Sequence, residues 1–208
     1  MVKQRIIEKA SELFGQAGVK SITMDDLARH LGISKRTIYE NFKDKEELLV
    51  ACVNAFHAEN RAFAEKVFLE SDNVANAIVL MLQNDIKQAS LRRFNIIEEI
   101  RKYYPKVYKE RLICLYAEKS RDFEQIIKRG IKEGIFRENL NPEIIVHFFC
   151  TQAENTAIND QFLNQFSLID VFENLAFTFL RGISTPKGLE IIDRYKEKVN
   201  YHNDEDKI

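Results

Sequence analysis

The chain has 208 residues, of which 30% are charged, and its formal net charge at pH 7 is −1. This balance excludes a uniformly basic protein, although it is compatible with a local basic face. The three cysteines are widely spaced in apolar surroundings, which argues against a disulfide framework and against a zinc site. No apolar run approaches the roughly 18 residues of a membrane span, and the N-terminal stretch lacks the apolar region of a secretory signal. We therefore expect a cytoplasmic protein.

The first predicted elements are short helices with clear boundaries. Apolar residues up to Ala17 recur at helical spacing, and Gly18 ends the first helix. Thr23 is the predicted N-cap of a second helix, with Asp26 placed to complete a capping box. Gly32 ends that helix, and a third helix follows after a turn of about three or four residues. This arrangement is the signature of a helix-turn-helix.

The third helix carries the residues with the clearest binding chemistry. Ser34 caps it, and the helix is predicted over residues 35–41. Ile38 and Phe42 are four residues apart, so we expect both to face the core. The outward face then carries Arg36, Tyr39, Glu40 and Lys43.

The N-terminal turn of this helix is suited to an anion such as phosphate, because its free N–H groups lie beside hydroxyls and cations. In a helix-turn-helix the second helix enters the major groove, where Arg36 can donate two hydrogen bonds to guanine. Thr23 and Lys45 would hold the DNA backbone on either side. The predicted DNA contacts are Thr23, Ser34, Lys35, Arg36, Thr37, Tyr39, Asn41 and Lys45.

These residues alone leave a second interpretation open. Pairs of short helices linked by glycine also occur in many all-α proteins that never bind DNA. Glu40 would be repelled by phosphates, unless it pairs with Arg36 one turn away or accepts a hydrogen bond from cytosine N4.

The rest of the chain is also predicted to be helical, giving an all-α fold of about nine or ten helices. Asp44 opens a long fourth helix over residues 45 to about 69, with Glu47 at the capping-box position. Gly130 and Gly134 are expected to loosen and end a later helix. The later helices are predicted to begin near Asn73, Leu91, Pro105, Pro142, Ser167 and Pro186.

The segment around the third helix matches a known pattern. The run LFGQAGVKSITMDDLARHLGISKRTIYENFKDKEELL, residues 13–49, closely resembles the N-terminal DNA-binding domain of the TetR family of bacterial repressors. The run GIKEGIFRENLNPE, residues 130–143, is similar to a weaker family signature. The matching positions of the first run include Phe14, Gly18, Thr23, Leu27, Ala28, Leu31, Gly32, Ile33, Ser34, Thr37, Ile38, Tyr39, Phe42, Lys45, Glu47, Leu48 and Leu49.

The resemblance implies a homodimer that binds double-stranded DNA and responds to a small molecule. With a soft boundary inside the fourth helix near residue 46, we predict a DNA-binding domain over residues 1–46, a regulatory and dimerisation domain over 47–201, and a polar tail over 202–208. Two late helices of each protomer would form the dimer interface, although their apolar stripes are also compatible with monomer core. The predicted interface residues are Ile145, Phe148, Leu168, Val171, Phe172, Leu175 and Phe179.

A ligand site is expected among the middle helices. Aromatic and apolar residues there favour an apolar or aromatic ligand, although each is also compatible with ordinary core packing. A bound ligand would tilt the fourth helix and so change the distance between the two recognition helices of the dimer, about 34–36 Å on DNA. The predicted lining residues are Phe63, Met81, Phe94, Ile97, Tyr104, Tyr108, Tyr116, Phe149 and Gln152.

The sequence gives no indication of an enzyme. The four histidines show no metal-ligand spacing, and no cysteine has a recognisable His–acid setting, so we predict no catalytic residue, metal or cofactor. The leading hypothesis is a ligand-responsive repressor that binds a palindromic operator as a dimer. The alternative is a helical ligand-binding or interaction module that does not bind DNA.

Overall fold

The computed structural model describes residues 2–90, 96–157 and 165–194. Within these ranges the regular structure is helical, apart from an isolated bridge between Phe136 and Ser184. This confirms the predicted all-α fold. The helices are α1 (Val2–Ala17), α2 (Met24–Leu31), α3 (Lys35–Asn41), α4 (Lys45–Glu70), α5 (Val74–Ser90), α6 (Ile96–Tyr103), α7 (Pro105–Val107), a π segment (Tyr108–Leu112), α8 (Ile113–Lys132), α9 (Pro142–Ala157), α10 (Leu168–Ile183) and α11 (residues 186–194).

The ends of α1 and α2 are set by local capping, as predicted. Gly18 and Gly32 follow these helices in the left-handed backbone region, with φ of +82° and +65°. The Thr23 hydroxyl accepts a hydrogen bond from the Asp26 N–H at 3.1 Å, and the Asp26 carboxylate accepts one from the Thr23 N–H at 2.9 Å. The predicted capping box is therefore complete.

The start of α4 is capped differently from the prediction. The Asp44 carboxylate accepts a hydrogen bond from the Glu47 N–H at 2.8 Å, as a cap should. The Glu47 carboxylate, however, accepts from the N–H of Lys43 at 2.7 Å, not from that of Asp44. This hydrogen bond spans four residues instead of three, and it joins the turn after α3 to the first turn of α4.

The helix predicted to run from Pro105 towards Glu133 contains a π segment that the sequence pattern did not indicate. The N–H of Ile113 donates to the carbonyl of Tyr108, five residues earlier, so one turn is wider than in an α-helix.

Gly130 does not loosen this helix, because it is a close-packing position. A Cβ atom at Gly130 would lie 2.2 Å from a carbon of the Phe136 ring. The missing side chain therefore lets α8 approach that ring. Gly134, with φ of +69°, ends the helix as predicted.

By its internal contacts the chain divides into two compact units, of which the first comprises Met1–Ala62 and Ser90–Ala117. Ile100 of α6 and Leu112 of the π segment belong to the same buried core as α1–α4. The predicted domain boundary after residue 46 falls at a different place from the boundary between the two units. It stays a prediction about which residues contact DNA. The first core contains the fully buried Ile6, Leu27, Ile38, Phe42, Leu48 and Leu49.

The second unit comprises Phe63–Ala89 and Glu118–Ile208. The segment after α8 pairs with the segment after α10, because the Arg137 N–H donates to the Ile183 carbonyl and the Thr185 N–H donates to the Ile135 carbonyl, each at 2.9 Å. Its core includes Val74, Ile78, Ile127, Ile135, Phe136, Leu180 and Ile192.

Candidate nucleic-acid interface

Two buried side chains hold α3 on the first unit. Ile38 is fully buried and Phe42 is 1% exposed, and both pack in the same core as Leu27 of α2. At the start of α3 the Ser34 hydroxyl accepts a hydrogen bond from the Thr37 N–H at 3.0 Å, which satisfies one of the free donors of the helix. The outward face of α3 is therefore presented by a fixed backbone.

The predicted DNA contacts on this face are exposed to different degrees. The Arg36 side chain is 87% exposed, and Tyr39 is 45% exposed. The Lys35 amine lies 6.0 Å from the centre of the Tyr39 ring, so these two side chains share one surface. The other predicted contacts are the exposed Thr23 and Ser34 and the half-buried Thr37, Asn41 and Lys45.

Both cations at the start of α3 are paired with acids. The Lys35 amine lies 2.8 Å from an Asp25 oxygen, and the Arg36 Nε donates to Glu40 Oε1 at 2.9 Å. The hydrogen bond with Asp25 raises the pKa of Lys35. Exposed pairs of this kind are screened by water, so a phosphate or a base edge can replace the acid. The Arg36–Glu40 pair follows from helical spacing. The Asp25 contact crosses the turn, and no sequence spacing could predict it.

Lys45 is less accessible than its predicted role suggests. Its amine donates to the Lys20 carbonyl at 3.4 Å and lies 5.9 Å from the ring centres of both Phe14 and Tyr104. Burial lowers the pKa of Lys45, while the charge of Glu99 acts in the opposite direction. The amine therefore lies at the edge of the first core.

Comparison with known proteins agrees with this helix-turn-helix geometry. Residues 6–52 match the family model of bacterial regulatory proteins of the tetR family. Over 185 residues the chain is 27% identical to YvaF of Bacillus subtilis (strain 168), an uncharacterized HTH-type transcriptional regulator, and the match covers 87% of this chain and 95% of the relative. The chain is therefore similar to TetR-family transcriptional regulators, most specifically over residues 6–52.

Solved structures of TetR-family proteins share the fold. A TetR-family regulator from Agrobacterium tumefaciens gives a TM-score of 0.73 at 14% identity and covers 88% of this chain and 97% of its own. KstR2 of Mycobacterium tuberculosis, described as a ketosteroid transcriptional regulator, gives a TM-score of 0.60 at 15% identity. That match covers 89% of this chain and 96% of the KstR2 chain. At these identities the likeness establishes the fold alone.

A TetR-family protein is a transcriptional regulator and not an enzyme. In the described ranges, no group of three or more His, Cys, Asp and Glu side chains could hold a metal ion. None of the described helices combines the length and the apolar character that crossing a bilayer requires.

The residues predicted to line a ligand site are not gathered in one unit. Ile97, Tyr104, Tyr108 and Tyr116 pack against the first core. In the second unit Met81 packs against the core, and Phe149 forms an aromatic cluster with Phe123 and Phe179, with ring centres 4.4–6.2 Å apart. The remaining positions are Phe63, which is 36% exposed, the half-buried Gln152, and Phe94, which lies outside the described residues.

The residues predicted to form the TetR-family dimer interface differ in exposure. Phe148 of α9 is 60% exposed, and Ile144, one turn earlier, is 65% exposed. The predicted interface residue Ile145 packs partly buried against the second core, whereas its neighbour Ile144 is the exposed one. Two adjacent isoleucines gave no signal for which one faces outward. On α10 the predicted positions are the half-buried Val171, Leu175 and Phe179, and Leu168 and Phe172, whose side chains lie outside the described residues.

Proposed function

We propose that this TetR-family regulator is a repressor that binds a palindromic operator as a homodimer and is released by a small molecule. The observation that carries the proposal is the exposed cationic face of α3, which stands on a backbone fixed by the buried Ile38 and Phe42. A helix held in this way loses little conformational freedom when it enters a major groove.

Three exposed side chains of α3 have proposed roles. Arg36, released from Glu40, donates to O6 and N7 of a guanine, a pairing worth about 1–3 kcal/mol of base discrimination. Lys35 exchanges Asp25 for a phosphate oxygen, and the Tyr39 hydroxyl donates to a second phosphate. The other proposed contacts are Thr23, Ser34, Thr37, Asn41 and Lys45.

The proposed dimer uses α9 and α10 of both protomers. Ile144 and Phe148 supply an exposed apolar strip on α9, which a partner helix can cover. The two copies of α3 would lie about 34–36 Å apart, one turn of DNA. In this proposal DNA contacts fall within residues 1–46, dimer and effector contacts within 47–201, and residues 202–208 are a polar tail outside the described ranges.

The proposed effector is apolar or aromatic. The middle helices supply many aromatic side chains, among them Tyr104, Tyr108 and Tyr116 against the first core and Phe149 in the aromatic cluster. KstR2 is described as a ketosteroid regulator, which is compatible with an apolar effector but adds no argument at 15% identity. The effector class therefore rests on the composition of this chain.

Selection from a randomised library of double-stranded DNA tests the DNA-binding part of the proposal. The parent should enrich an inverted repeat, and Arg36→Ala should lose its preference at one base pair of each half-site. Lys128→Ala, an exposed lysine of α8, is the control and should select the parental sequence. Enrichment of no palindrome by the parent would favour the alternative, a helical module that does not bind DNA.

A ligand screen tests the proposal that a small molecule releases the protein from its operator. An effector found by its stabilisation of the protein should weaken operator binding, and the operator should weaken effector binding by the same factor. An effector that strengthens operator binding would contradict release.

A further inference from the structure

The turn between α1 and α2 contacts α6 through one carboxylate. Glu99 Oε2 accepts a hydrogen bond from the backbone N–H of Lys20 at 3.1 Å, although the two residues are 79 positions apart. The Lys20 amine also lies 4.5 Å from the ring centre of Tyr103, at the end of α6. Two contacts of different chemistry therefore join the same turn to the same helix.

Gly18 makes room for this carboxylate. A Cβ atom at Gly18 would lie 2.6 Å from Glu99 Oε1, closer than real Cβ contacts, and the φ of +82° independently disfavours a side chain. The glycine therefore has a second role besides ending α1. It lets the Glu99 carboxylate reach the Lys20 N–H.

The other backbone group of Lys20 is bonded to Lys45. The Lys45 amine donates to the Lys20 carbonyl at 3.4 Å, and the charge of Glu99 favours the protonated amine against the effect of burial. Glu99 and Lys45 thus hold the two polar groups of one residue. Thr23, the N-cap of α2, follows three residues later, so the position of this turn also sets the start of α2.

We propose that Glu99 is a positioning residue for DNA binding, which fixes the α1–α2 turn and, through the shared Lys20 backbone, the phosphate contacts Lys45 and Thr23. The inference rests on the proposed function, because it assigns Glu99 a role in that DNA contact. Its carboxylate does not touch DNA. It acts by holding two groups that do.

The first test needs no DNA. Hydrogen exchange of the Lys20 amide should be about tenfold faster in Glu99→Ala than in the parent, because a hydrogen bond to a charged acceptor is lost. Glu98→Ala is the matched control, since Glu98 is the neighbouring acid and bonds to Arg101 on its own helix. Unchanged exchange in Glu99→Ala, or equal changes in both variants, would overturn the inference.

Gly18→Ala gives an independent reading of the same contact. The added methyl group should displace the Glu99 carboxylate and expose the Lys20 amide in the parent background. In the Glu99→Ala background the same substitution should have a smaller effect on that amide, because only the strain of the positive φ at Gly18 remains. Additive effects would show that Gly18 and Glu99 act separately and would overturn the assigned contact.

The second test uses the selected operator. Glu99→Ala should weaken binding about tenfold, and its effect should shrink when Lys45 is already alanine. Glu99→Gln keeps an acceptor oxygen without the charge, so it should retain Lys20 protection and weaken binding less than Glu99→Ala. Parental operator affinity in Glu99→Ala would overturn the positioning role alone. Absence of DNA binding by the parent would overturn the proposed function together with this role, while the exchange experiment would still decide whether the contact exists.

Discussion

The α1–α2 turn and the α4–α5 turn are each held by a carboxylate from later in the chain, but the two carboxylates differ in how their charge is compensated. At the α4–α5 turn, Glu133 Oε2 accepts from the Val74 N–H at 2.8 Å, and Oε1 accepts from the Arg129 Nε at 2.5 Å. Arg129 also donates to the Phe68 carbonyl at 2.9 Å. One ion pair therefore holds the end of α4 and the start of α5.

At the α1–α2 turn the charge of the carboxylate has no direct ion pair among the contacts described for it. Glu99 accepts from the Lys20 N–H, while the Lys45 amine is directed to the Lys20 carbonyl and acts on Glu99 through longer-range charge. A DNA phosphate near Lys45 would change this balance, whereas the Arg129–Glu133 pair is complete in itself. The Glu133 carboxylate is thus paired with a cation, whereas the Glu99 carboxylate, which we propose to support DNA binding, accepts from a backbone N–H.

The largest expected effect is at the paired turn. Arg129→Ala should lower the free energy of unfolding by about 3 kcal/mol, because it leaves Glu133 partly buried without its counter-charge and the Phe68 carbonyl without its donor. Chemical denaturation measures the change. Lys128→Ala, which removes an exposed pair with Glu124, is the control and should change the free energy by less than about 0.5 kcal/mol. Equal effects would contradict the structural role of the Arg129 pair.

A second experiment probes the core of the first unit through pH. Burial raises the pKa of the Cys52 thiol to about 11, from an ordinary value of 9.0. Because the folded protein retains the proton longer, this stability is fully present below pH 9 and is lost as the pH rises towards 11, by about 2–3 kcal/mol. Cys52→Ala should therefore lose stability less steeply over this pH range in denaturation experiments. Parallel curves for parent and variant would show that the thiol is open to water.

Substitutions at two glycines of the second unit distinguish the cost of lost close packing from the cost of backbone strain. Gly130→Ala should destabilise the protein by about 2 kcal/mol, because its methyl group would overlap the Phe136 ring and crowd Val74. Gly134→Ala faces open space and should cost about 1 kcal/mol from its φ of +69° alone. Thermal unfolding of both variants measures the difference. A larger loss at Gly134 would contradict the packing role of Gly130.

The smallest expected effect is on the proposed DNA-binding face of α3. Glu40→Gln should raise affinity for nonspecific DNA about threefold, because it frees Arg36 and removes one repulsive charge. Fluorescence anisotropy at several salt concentrations measures this change, with Glu124→Gln on α8 as the control. A fall in affinity confined to the selected operator would instead assign Glu40 to a cytosine N4.

Sequence reasoning predicted the helix-turn-helix well because its determinants are local. The Thr23–Asp26 box and the Ser34 cap involve residues three apart, and the buried pair Ile38 and Phe42 follows from helical spacing. Each signal lies within one turn of the element that it defines. The helix boundaries, and the side of each helix that faces the core, could therefore be predicted without knowing how the helices pack.

The missed features depend on residues that meet only in the folded chain. Asp25 reaches Lys35 across a turn, Glu99 reaches Lys20 over 79 positions, and the role of Gly130 requires the Phe136 ring. Composition indicated enough aromatic residues for a ligand site. It could not show which of them belong to the first core and which to the second. Spacing rules carry no information about such contacts.

The π segment Tyr108–Leu112 has a consequence for comparing this chain with its relatives. A single wide turn accommodates one additional residue, because its hydrogen bond reaches back five residues instead of four. A relative with a regular α-helix at this place should therefore align with a one-residue gap, and its aromatic positions before and after the gap should still correspond to Tyr104 and Tyr116. The extra residue would then be absorbed within the wide turn itself.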